Sequence, residues 1–259
     1  MKEGLKNLLD SRYREYNCSE FIQTDPVAIP HMFSHKQDIE IAGLITALFS
    51  WGQRKTIINK ARSFFELMDF APHDFVLNFE KEDLQPFTEF KHRTFNGDDA
   101  LCFISFFNWY YSQFQSLENA FIDQDSPDGD PVEAGINRFH TLFLKHPHFL
   151  KRSEKHVSAP CKKSTCKRIN MFLRWMVRKD PVGIDFGVWN RIKASDLKIP
   201  MDIHVFRTAK KLGLLHRNQM DWQAVVELTE TLKIFDRDDP VKYDYSLFGM
   251  GIMKWPVTL

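Results

Sequence analysis

The chain has 259 residues, of which 43% are hydrophobic and 14% aromatic, and its formal net charge is +1. A chain of this length and hydrophobicity buries roughly three quarters of its unfolded surface, which excludes an intrinsically disordered protein and allows an internal ligand site. Its four cysteines are too few and too scattered for the disulfide framework of a small secreted domain.

The N-terminal segment contains no targeting signal of the secretory type. The stretch "MKEGLKNLLDSRYREYN" alternates charged residues with leucine and lacks an apolar core. The longest apolar run, Ile41 to Phe49, falls well short of the roughly 20 residues that cross a bilayer. We therefore expect a cytoplasmic protein without membrane contact.

Helical periodicity dominates the first half of the chain. Residues 37–53 place most of their apolar side chains on one face, and residues 54–68 continue this pattern after a break at Gly52. Residues 98–114 are apolar on almost every side, which predicts a buried helix.

Caps and helix breakers predict the helices of the second half. They are residues 132–146 after Asp130-Pro131, 166–180 before Pro181, 201–213 with Asp202 at the start and Gly213 as the stop, 220–236 from Asp221, and a last capped helix in 239–251. Convincing pairs of alternating strands are absent. The predicted fold class is all-α.

The sequence gives weaker signals for domain boundaries than for helices. No repeat at a solenoid period and no flexible linker is present. We expect residues 1–259 to form a single helical domain. The alternative is two interleaved lobes of about 1–130 and 131–259, separated by the turn-rich stretches "FNGDD" and "DQDSPDGDP".

Charge is unevenly distributed along the chain. His73 to Asp130 contains 12 acidic residues and 3 Lys/Arg, whereas Lys145 to Lys179 contains 11 Lys/Arg and the single acid Glu154. This basic block is either a solvated surface that faces the acidic half of the molecule or a footprint for a polyanion. Nucleic acid is the commonest polyanion for such a block.

Asp202 has two possible roles. As an N-cap it accepts backbone N–H bonds, which is worth about 1 kcal/mol. A cap alone does not explain why a second helix start, in the basic block, carries Lys167 followed by a nearly all-apolar helix. Lys167 is either a surface residue that packs its aliphatic stem or a nucleophile.

A nucleophilic lysine needs help to lose its proton. With an ordinary pKa near 10.4, only about one amine in a few thousand is neutral at pH 7. Nearby cations, desolvation or a carboxylate base change this balance. Lys162, Lys163 and Arg168 supply cations close in sequence, and Asp202 is the candidate base.

The order of Lys167 in "KRINMFLRW" and then "IPMDIHVFR" resembles the helix-hairpin-helix DNA glycosylase superfamily. There a lysine ends the hairpin, and a Pro-x-Asp-x-(His or Arg)-Val signature follows. The nearest resemblance is to archaeal 8-oxoguanine DNA glycosylases. It covers about 90 residues, Ser158 to Asp244, with weaker support near Gln53. The whole chain also resembles an uncharacterised bacterial family of unknown function, which shares both runs.

The resemblance implies a two-lobed helical glycosylase-like fold and base-excision repair of an oxidised purine such as 8-oxoguanine. Lys167 would attack the sugar C1′ and form a Schiff base, giving AP lyase activity, and Asp202 would activate the lysine and stabilise the positive charge on the sugar. The target base would be flipped out of the helix. We expect a monomer that acts on damaged duplex or single-stranded DNA without a cofactor.

The same resemblance implies a base pocket. Gln53 would lie near the vacated or flipped base, Met171 against the base, Asp244 would accept its hydrogen bonds, and Phe248 would stack on it. Ordinary structural roles stay open for all four: a helix-terminal glutamine, a packing methionine, a helix cap and a core aromatic.

The chain also departs from the superfamily pattern. The usual Gly-x-Gly hairpin turn, whose N–H groups bind a phosphate, is replaced by "SAPCKKSTCKR". Side chains would then have to contact the DNA backbone: Ser158, Lys162, Lys163, Ser164, Thr165 and Arg168. No four-cysteine cluster for an iron–sulfur centre is present, and His140, His146, His148 and His156 fit no metal-ligand spacing. No metal site is expected.

Two alternatives to the enzyme remain. One is a non-catalytic DNA-binding or scaffold protein that retains the glycosylase fold, which the missing glycine turn favours. The other is a structural helical protein whose basic block docks onto an acidic partner. The pairing of Lys167 with Asp202 favours the enzyme, because binding alone needs neither residue.

Overall fold

The computed structural model describes residues 2–122 and 129–253, and helices dominate this part of the chain. The α-helices and strands are α1 (Lys2–Tyr16), α2 (Ser19–Thr24), α3 (Lys36–Phe49), α4 (Arg54–Glu66), α5 (Pro72–Asn78), β1 (Lys91–His92), β2 (Phe95–Asn96), α6 (Gly97–Tyr111), α7 (Pro131–Lys145), α8 (Lys167–Val177), α9 (Ile203–Lys211), α10 (Trp222–Lys233) and α11 (Tyr243–Ile252). The 3₁₀ segments are Pro26–Ala28, Pro30–Met32, Glu82–Glu89, Leu117–Phe121, Lys151–His156, Pro160–Lys162, Ala194–Asp196 and Pro240–Lys242. The predicted all-α class is confirmed.

A small two-stranded sheet does not change this class. Strands β1 and β2 pair antiparallel, with His92 opposite Phe95 and Lys91 opposite Asn96. Within residues 2–122 and 129–253, no helix is long and apolar enough to cross a membrane.

The chain forms two compact units. The terminal unit contains Met1–Ile22 and Ala159–Leu259, and the central unit is the continuous stretch Gln23–Ser158. The turn-rich stretch near residue 130, considered above as a lobe separator, belongs to the central unit. Residues 123–128 of that stretch lie outside the described part of the chain.

Aromatic packing dominates the core of the central unit. The ring of Phe49, at the end of α3, lies 5.6 Å from that of Phe64 and 4.9 Å from that of Phe95. Helix α6 is mostly buried, as its sequence predicted. It begins at a capping box, in which Asn96 and Asp99 bind each other's backbone N–H groups. Such a box satisfies two N–H groups that the helix leaves unpaired.

Helices α1 and α9 both pack against α11 in the terminal unit. Gly249 of α11 faces the ring of Tyr16, and Gly251 lies so close to α9 that an added Cβ would be 2.9 Å from Cβ of His204. The hydroxyl of Ser246 donates to the carbonyl oxygen of Leu9 at 2.7 Å. Small residues on α11 therefore allow both neighbouring helices to approach closely.

Three predicted helix caps are confirmed. Asp130 accepts hydrogen bonds from Val132 and Glu133, Asp221 accepts one from Ala224, and Asp202 caps α9. Helix α9 ends before Gly213, whose φ of +68° suits glycine.

The predicted cap of the last helix is wrong. Helix α11 begins at Tyr243, after the 3₁₀ turn Pro240–Lys242, and neither segment has a side-chain cap. The carboxylate of Asp239 is instead bound by Nε of Arg178, at 2.8 and 3.0 Å. A guanidinium partner competes successfully with the cap because charge-assisted hydrogen bonds are the stronger ones.

Candidate active site in the terminal unit

The turn before α8 forms without glycine. A 3₁₀ turn, Pro160–Lys162, is followed by Lys163 at φ +59°, and Cys166 at φ +50° leads into the helix. Ser164 Oγ accepts the N–H of Cys166 at 3.1 Å, which closes the turn locally. Two left-handed positions that usually favour glycine are thus held by larger residues, at a conformational cost of about 1–2 kcal/mol each.

Five of the six residues proposed to contact the DNA backbone lie together in this turn or at the start of α8. Lys162 and Lys163 are exposed, whereas Ser164, Thr165 and Arg168 are half-buried. The carbonyl oxygen of Thr165 accepts a bond from Asn170 of α8 at 3.1 Å. Burial lowers the pKa of Arg168.

The sixth residue, Ser158, belongs to the other compact unit. It is half-buried and is the last residue of the central unit. The terminal unit therefore contains Lys162 and Lys163 as the exposed cations of the turn.

Lys167 is the first residue of α8 and is half-buried. Its Nζ lies 3.5 Å from Sδ of Met171, one helical turn later, and Met171 is only 9% exposed. The lysine and the methionine are therefore brought together, as neighbours one turn apart on a helix must be. The amine lies at the edge of an apolar surface.

Asp202 caps α9 through a single oxygen. Its Oδ1 accepts hydrogen bonds from the backbone N–H groups of His204, at 2.8 Å, and Val205, at 3.0 Å. Both cap bonds use this one atom, so Oδ2 takes no part in the cap. The geometry allows Asp202 to cap the helix and also to act on another group.

Asp244 lies in the first turn of α11, where it is buried and paired with Arg174 of α8. The same guanidinium donates through Nε to Asp185 at 3.3 Å and lies 4.4 Å from the centroid of the Tyr245 ring. Arg174 is itself buried. The acid is thus fixed by a buried arginine that it shares with a second carboxylate.

The charge on Asp244 links it to Lys167 and Asp202. Burial raises the pKa of Asp244 from its ordinary 3.8 to about 6, and the positive charge of Arg174 opposes this rise. The negative charge of Asp202 raises the same pKa further, while the positive charge of Lys167 lowers it. Lys167 at the start of α8 and Asp202 at the start of α9 are thus charged groups of neighbouring helices that act on Asp244.

Phe248 lies one turn after Asp244 and is half-buried. Its ring is perpendicular to that of His204, with 6.3 Å between the centroids. Residues from α8, α9 and α11 therefore form one site: Lys167, Met171, Asp202, Asp244 and Phe248. Gln53 belongs to the central unit, where it precedes α4, is exposed and makes no side-chain cap bond.

A buried ionic network continues beyond Asp244. Arg178 donates to Asp185 at 2.9 Å and to the hydroxyl of Tyr13 at 2.5 Å, in addition to its pair with Asp239. Two arginines of the basic block are thus neutralised inside the terminal unit. Fewer cations of the basic block are therefore available to a polyanion than the charge count suggests.

Sequence reasoning missed the contribution of Arg174 and Asp185 to this site. One signal was present, because Arg174 interrupts the apolar stretch Met171–Val177 and Arg178, the C-cap of α8, follows four residues later. Residues at that spacing lie on the same face. A cation on an apolar face usually has a buried acidic partner.

The titration of Asp244 predicts an effect of pH on stability. A carboxyl whose folded pKa is about 6 binds more protons in the native than in the unfolded state between about pH 4 and 6. Its contribution to the free energy of unfolding therefore falls as the pH rises through this window. We expect the free energy of unfolding of Asp244→Asn, relative to that of the wild type, to increase as the pH rises from about 4 to 6. Urea denaturation at several pH values measures this difference.

Asp10→Asn is the control with the opposite sign. Burial raises the pKa of Asp10, but hydrogen bonds from Lys6 and Tyr243, together with the positive charges of Lys242 and Lys6, lower it overall. The stability difference between this variant and the wild type should therefore change only below about pH 4. A constant difference for Asp244→Asn across pH 4–6 would contradict the raised pKa.

The buried histidines have partners within the central unit. His156 Nε2 lies 3.3 Å from Asp99, His140 Nε2 3.8 Å from Glu154, and His146 Nδ1 2.7 Å from the carbonyl oxygen of Phe143. In residues 2–122 and 129–253, no group of three or more acidic, histidine or cysteine side chains is arranged to hold a metal ion.

Comparison with known proteins gives a family but no activity. No match to the chain was found among curated proteins or among solved structures. Residues 25–253 match a family described as a protein of unknown function, DUF2400. This match spans most of the chain and includes Lys167, Asp202 and Asp244. The chain therefore belongs to the DUF2400 family.

Proposed function

We propose that the protein is a DNA glycosylase of the helix-hairpin-helix type that excises an oxidised purine, such as 8-oxoguanine, and cleaves the abasic site through Lys167. The observation that carries this proposal is the contact of three helices of the terminal unit. Arg174 of α8, the helix that begins at Lys167, pairs with the buried Asp244 of α11, and α11 packs against α9, which Asp202 caps. An amine nucleophile needs a group that takes its proton, and Asp202 is the candidate.

The chemical steps follow from these groups. An ordinary lysine amine is protonated at neutral pH and cannot attack. Oδ2 of Asp202, which the cap leaves unused, accepts this proton. Nζ of Lys167 then forms a bond to the sugar C1′, while the bond from C1′ to the base nitrogen breaks and the base leaves with its electron pair and takes up a proton.

Lyase chemistry continues from the same amine. The sugar ring opens when its oxygen takes up a proton, and the lysine nitrogen then forms a protonated Schiff base with C1′. Loss of a proton from C2′ expels the 3′ phosphate and cuts the strand. Borohydride reduces the Schiff base to a stable amine, which makes the intermediate measurable.

The remaining residues of the site suit a flipped base. Met171 of α8, which contacts Lys167, and Phe248 of α11, one turn after Asp244, provide apolar surface. Asp244 offers a carboxylate whose orientation Arg174 fixes. Polar edges and flat apolar contacts together are how enzymes read an extruded base. We assign Asp244 and Phe248 to base recognition and Arg174 to the positioning of Asp244.

Borohydride trapping tests this proposal. The protein is incubated with duplex and single-stranded oligonucleotides that carry 8-oxoguanine, uracil, an alkylated purine or an abasic site, and with an undamaged control. We expect a covalent adduct with an oxidised purine and with the abasic site. If no lesion gives either an adduct or free base, the protein is not a glycosylase.

Asp202→Asn separates the two roles of Asp202. Asparagine caps a helix nearly as well as aspartate, so we expect the free energy of unfolding to stay within about 0.5 kcal/mol. Without the base, excision should slow by about 10²- to 10⁴-fold. Circular dichroism and single-turnover excision are the two measurements.

Asp221→Asn is the matched control, because Asp221 caps α10 in the same unit and is not among the charges coupled to Asp244. It should leave excision unchanged. Equal excision rates for Asp202→Asn and the wild type would restrict Asp202 to capping.

A second candidate function is DNA binding without catalysis. The exposed Lys162 and Lys163, on a turn that lacks the usual glycines, favour it. Such a protein would bind DNA with an affinity that falls steeply as the salt concentration rises. It would release no base and form no adduct with any lesion.

A further inference from the structure

Trp51 of the central unit is 53% exposed. Three other tryptophans, Trp175, Trp189 and Trp222, are almost completely buried. The guanidinium of Arg93 lies over the indole of Trp51, 5.1 Å from the ring centroid. A large aromatic surface is therefore held open to solvent with a cation against it.

The β1–β2 hairpin holds the backbone beside Trp51. Nε of Arg93 donates to the carbonyl oxygen of Trp51 at 3.0 Å, and Nε2 of His92 bonds to the carbonyl oxygen of Phe49 at 2.9 Å. Both ends of the turn after α3 are thus fixed by neighbouring residues of the hairpin. The backbone that carries the indole is therefore held by the hairpin.

Gly52 makes this arrangement possible. Its φ is +122°, and an added Cβ would lie 2.6 Å from Nη2 of Arg93. A side chain at this position would displace the guanidinium from the indole. The close approach of Arg93 to Trp51 therefore depends on glycine between the tryptophan and α4.

The charge around Trp51 is positive. Residues 50–56 and 91–96 contain four Lys/Arg and no acid: Arg54, Lys55, Lys91 and Arg93. Lys55 and Lys91 are exposed, and Arg54 has a long contact of 3.8 Å with Asp25. This cluster stands out because His73 to Asp130, which includes the hairpin, is otherwise strongly acidic.

We propose that Trp51 is a stacking platform for an unpaired base of a single-stranded nucleic acid. Arg93 supports the indole from one side, and Lys55 and Lys91 contact the flanking phosphates. An exposed aromatic ring among cations matches a strand whose every unit carries a flat base and a negative charge. This inference rests on the proposed function only for the class of ligand, and it requires none of the chemistry at Lys167.

A binding experiment tests the stacking directly. The probes are a fluorescein-labelled oligothymidine and an oligomer of tetrahydrofuran phosphates of equal length, which has the same charge and no bases. We expect Trp51→Ala to weaken binding of the oligothymidine by about 5- to 100-fold. Binding of the baseless oligomer should change by less than about twofold, since the phosphate contacts are kept. Fluorescence anisotropy at fixed salt gives both affinities.

Two further variants separate stacking from a folding defect. Trp51→Phe keeps an aromatic ring and should retain most of the affinity for oligothymidine. Phe114→Ala removes another exposed aromatic of the central unit, one that is 39% exposed and stacks on Tyr110. It should bind both probes like the wild type.

Several outcomes would overturn the inference. These are equal loss of both probes in Trp51→Ala, no loss in that variant, or failure of the wild-type protein to bind oligothymidine at all. The result is independent of the catalytic proposal. A base-dependent loss in Trp51→Ala, with neither an adduct nor base release from any lesion, would keep the stacking platform and remove the glycosylase. An adduct through Lys167 with unchanged binding in Trp51→Ala would support the glycosylase and exclude the stacking platform.

Discussion

Replacing Lys167 with glutamine is expected to abolish the borohydride-trapped adduct completely and to leave the affinity for DNA within about threefold. Glutamine has no nucleophilic amine, so neither the Schiff base nor strand cleavage can form. It is long enough to keep the contact with Met171, and the exposed Lys162 and Lys163 preserve most of the local positive charge. Denaturing gels of the reduced complex and anisotropy with the same oligonucleotide give the two values.

Lys163→Gln is the matched control for Lys167→Gln. Lys163 is exposed in the turn four residues earlier, and the substitution removes the same charge. It should keep the adduct while lowering DNA affinity and the salt dependence of binding. An adduct that persists in Lys167→Gln would assign the covalent chemistry to another amine. Base release without an adduct in the wild type would indicate an activated water instead.

Arg174→Met is expected to cause the largest loss of stability. The substitution leaves the carboxylates of Asp185 and Asp244 buried without their shared guanidinium. Breaking one side of a buried ion pair costs about 3–5 kcal/mol. For a chain of this size that corresponds to a Tm lower by roughly 6–20 °C. Calorimetry or a thermal scan by circular dichroism measures it.

Two comparisons identify the cause of this loss. Arg217→Met removes a half-exposed arginine that binds Asp221 through two nitrogens. Asp221 keeps its hydrogen bond from Ala224, so the Tm should fall less than in Arg174→Met. The double variant Arg174→Met with Asp244→Asn removes one unpaired charge and should recover part of the stability. Equal Tm values for Arg174→Met and the wild type would contradict a structural role for the network.

Local signals in the sequence predicted the helices well because they act over a few residues. The caps at Asp130, Asp202 and Asp221 were recognisable because an aspartate accepts N–H bonds from residues two or three positions later. The stop at Gly213 is equally local. Such interactions depend only on neighbours in the chain.

Long-range pairing could not be predicted in the same way. Asp244 was expected in the base pocket or as a cap, and its partner Arg174 is 70 positions earlier in the sequence. Asp239 does not cap the last helix as predicted, because its carboxylate is bound by Arg178, 61 positions away. A count of charges in the basic block cannot distinguish a cation that faces solvent from one that is buried with a carboxylate.

The turn before α8 shows a different limit of sequence reasoning. The missing glycines indicated that side chains would replace backbone N–H groups as phosphate contacts, and they gave no information on the backbone angles of the turn. Lys163 and Cys166 adopt left-handed angles, at φ +59° and +50°. Local hydrogen bonds, such as that from Cys166 to Ser164, stabilise a conformation that residue preferences alone disfavour.

The packing of α1 against α11 has a consequence for synthesis of the chain. Leu9 and Ser246, which bond to each other, are 237 positions apart, and the central unit lies between them in sequence. On the ribosome, α1 emerges long before α11 exists, whereas Gln23–Ser158 is continuous and is complete much earlier. Nascent α1 therefore has no α11 to pack against while the central unit is synthesised, and the terminal unit can be completed only after the central unit has emerged.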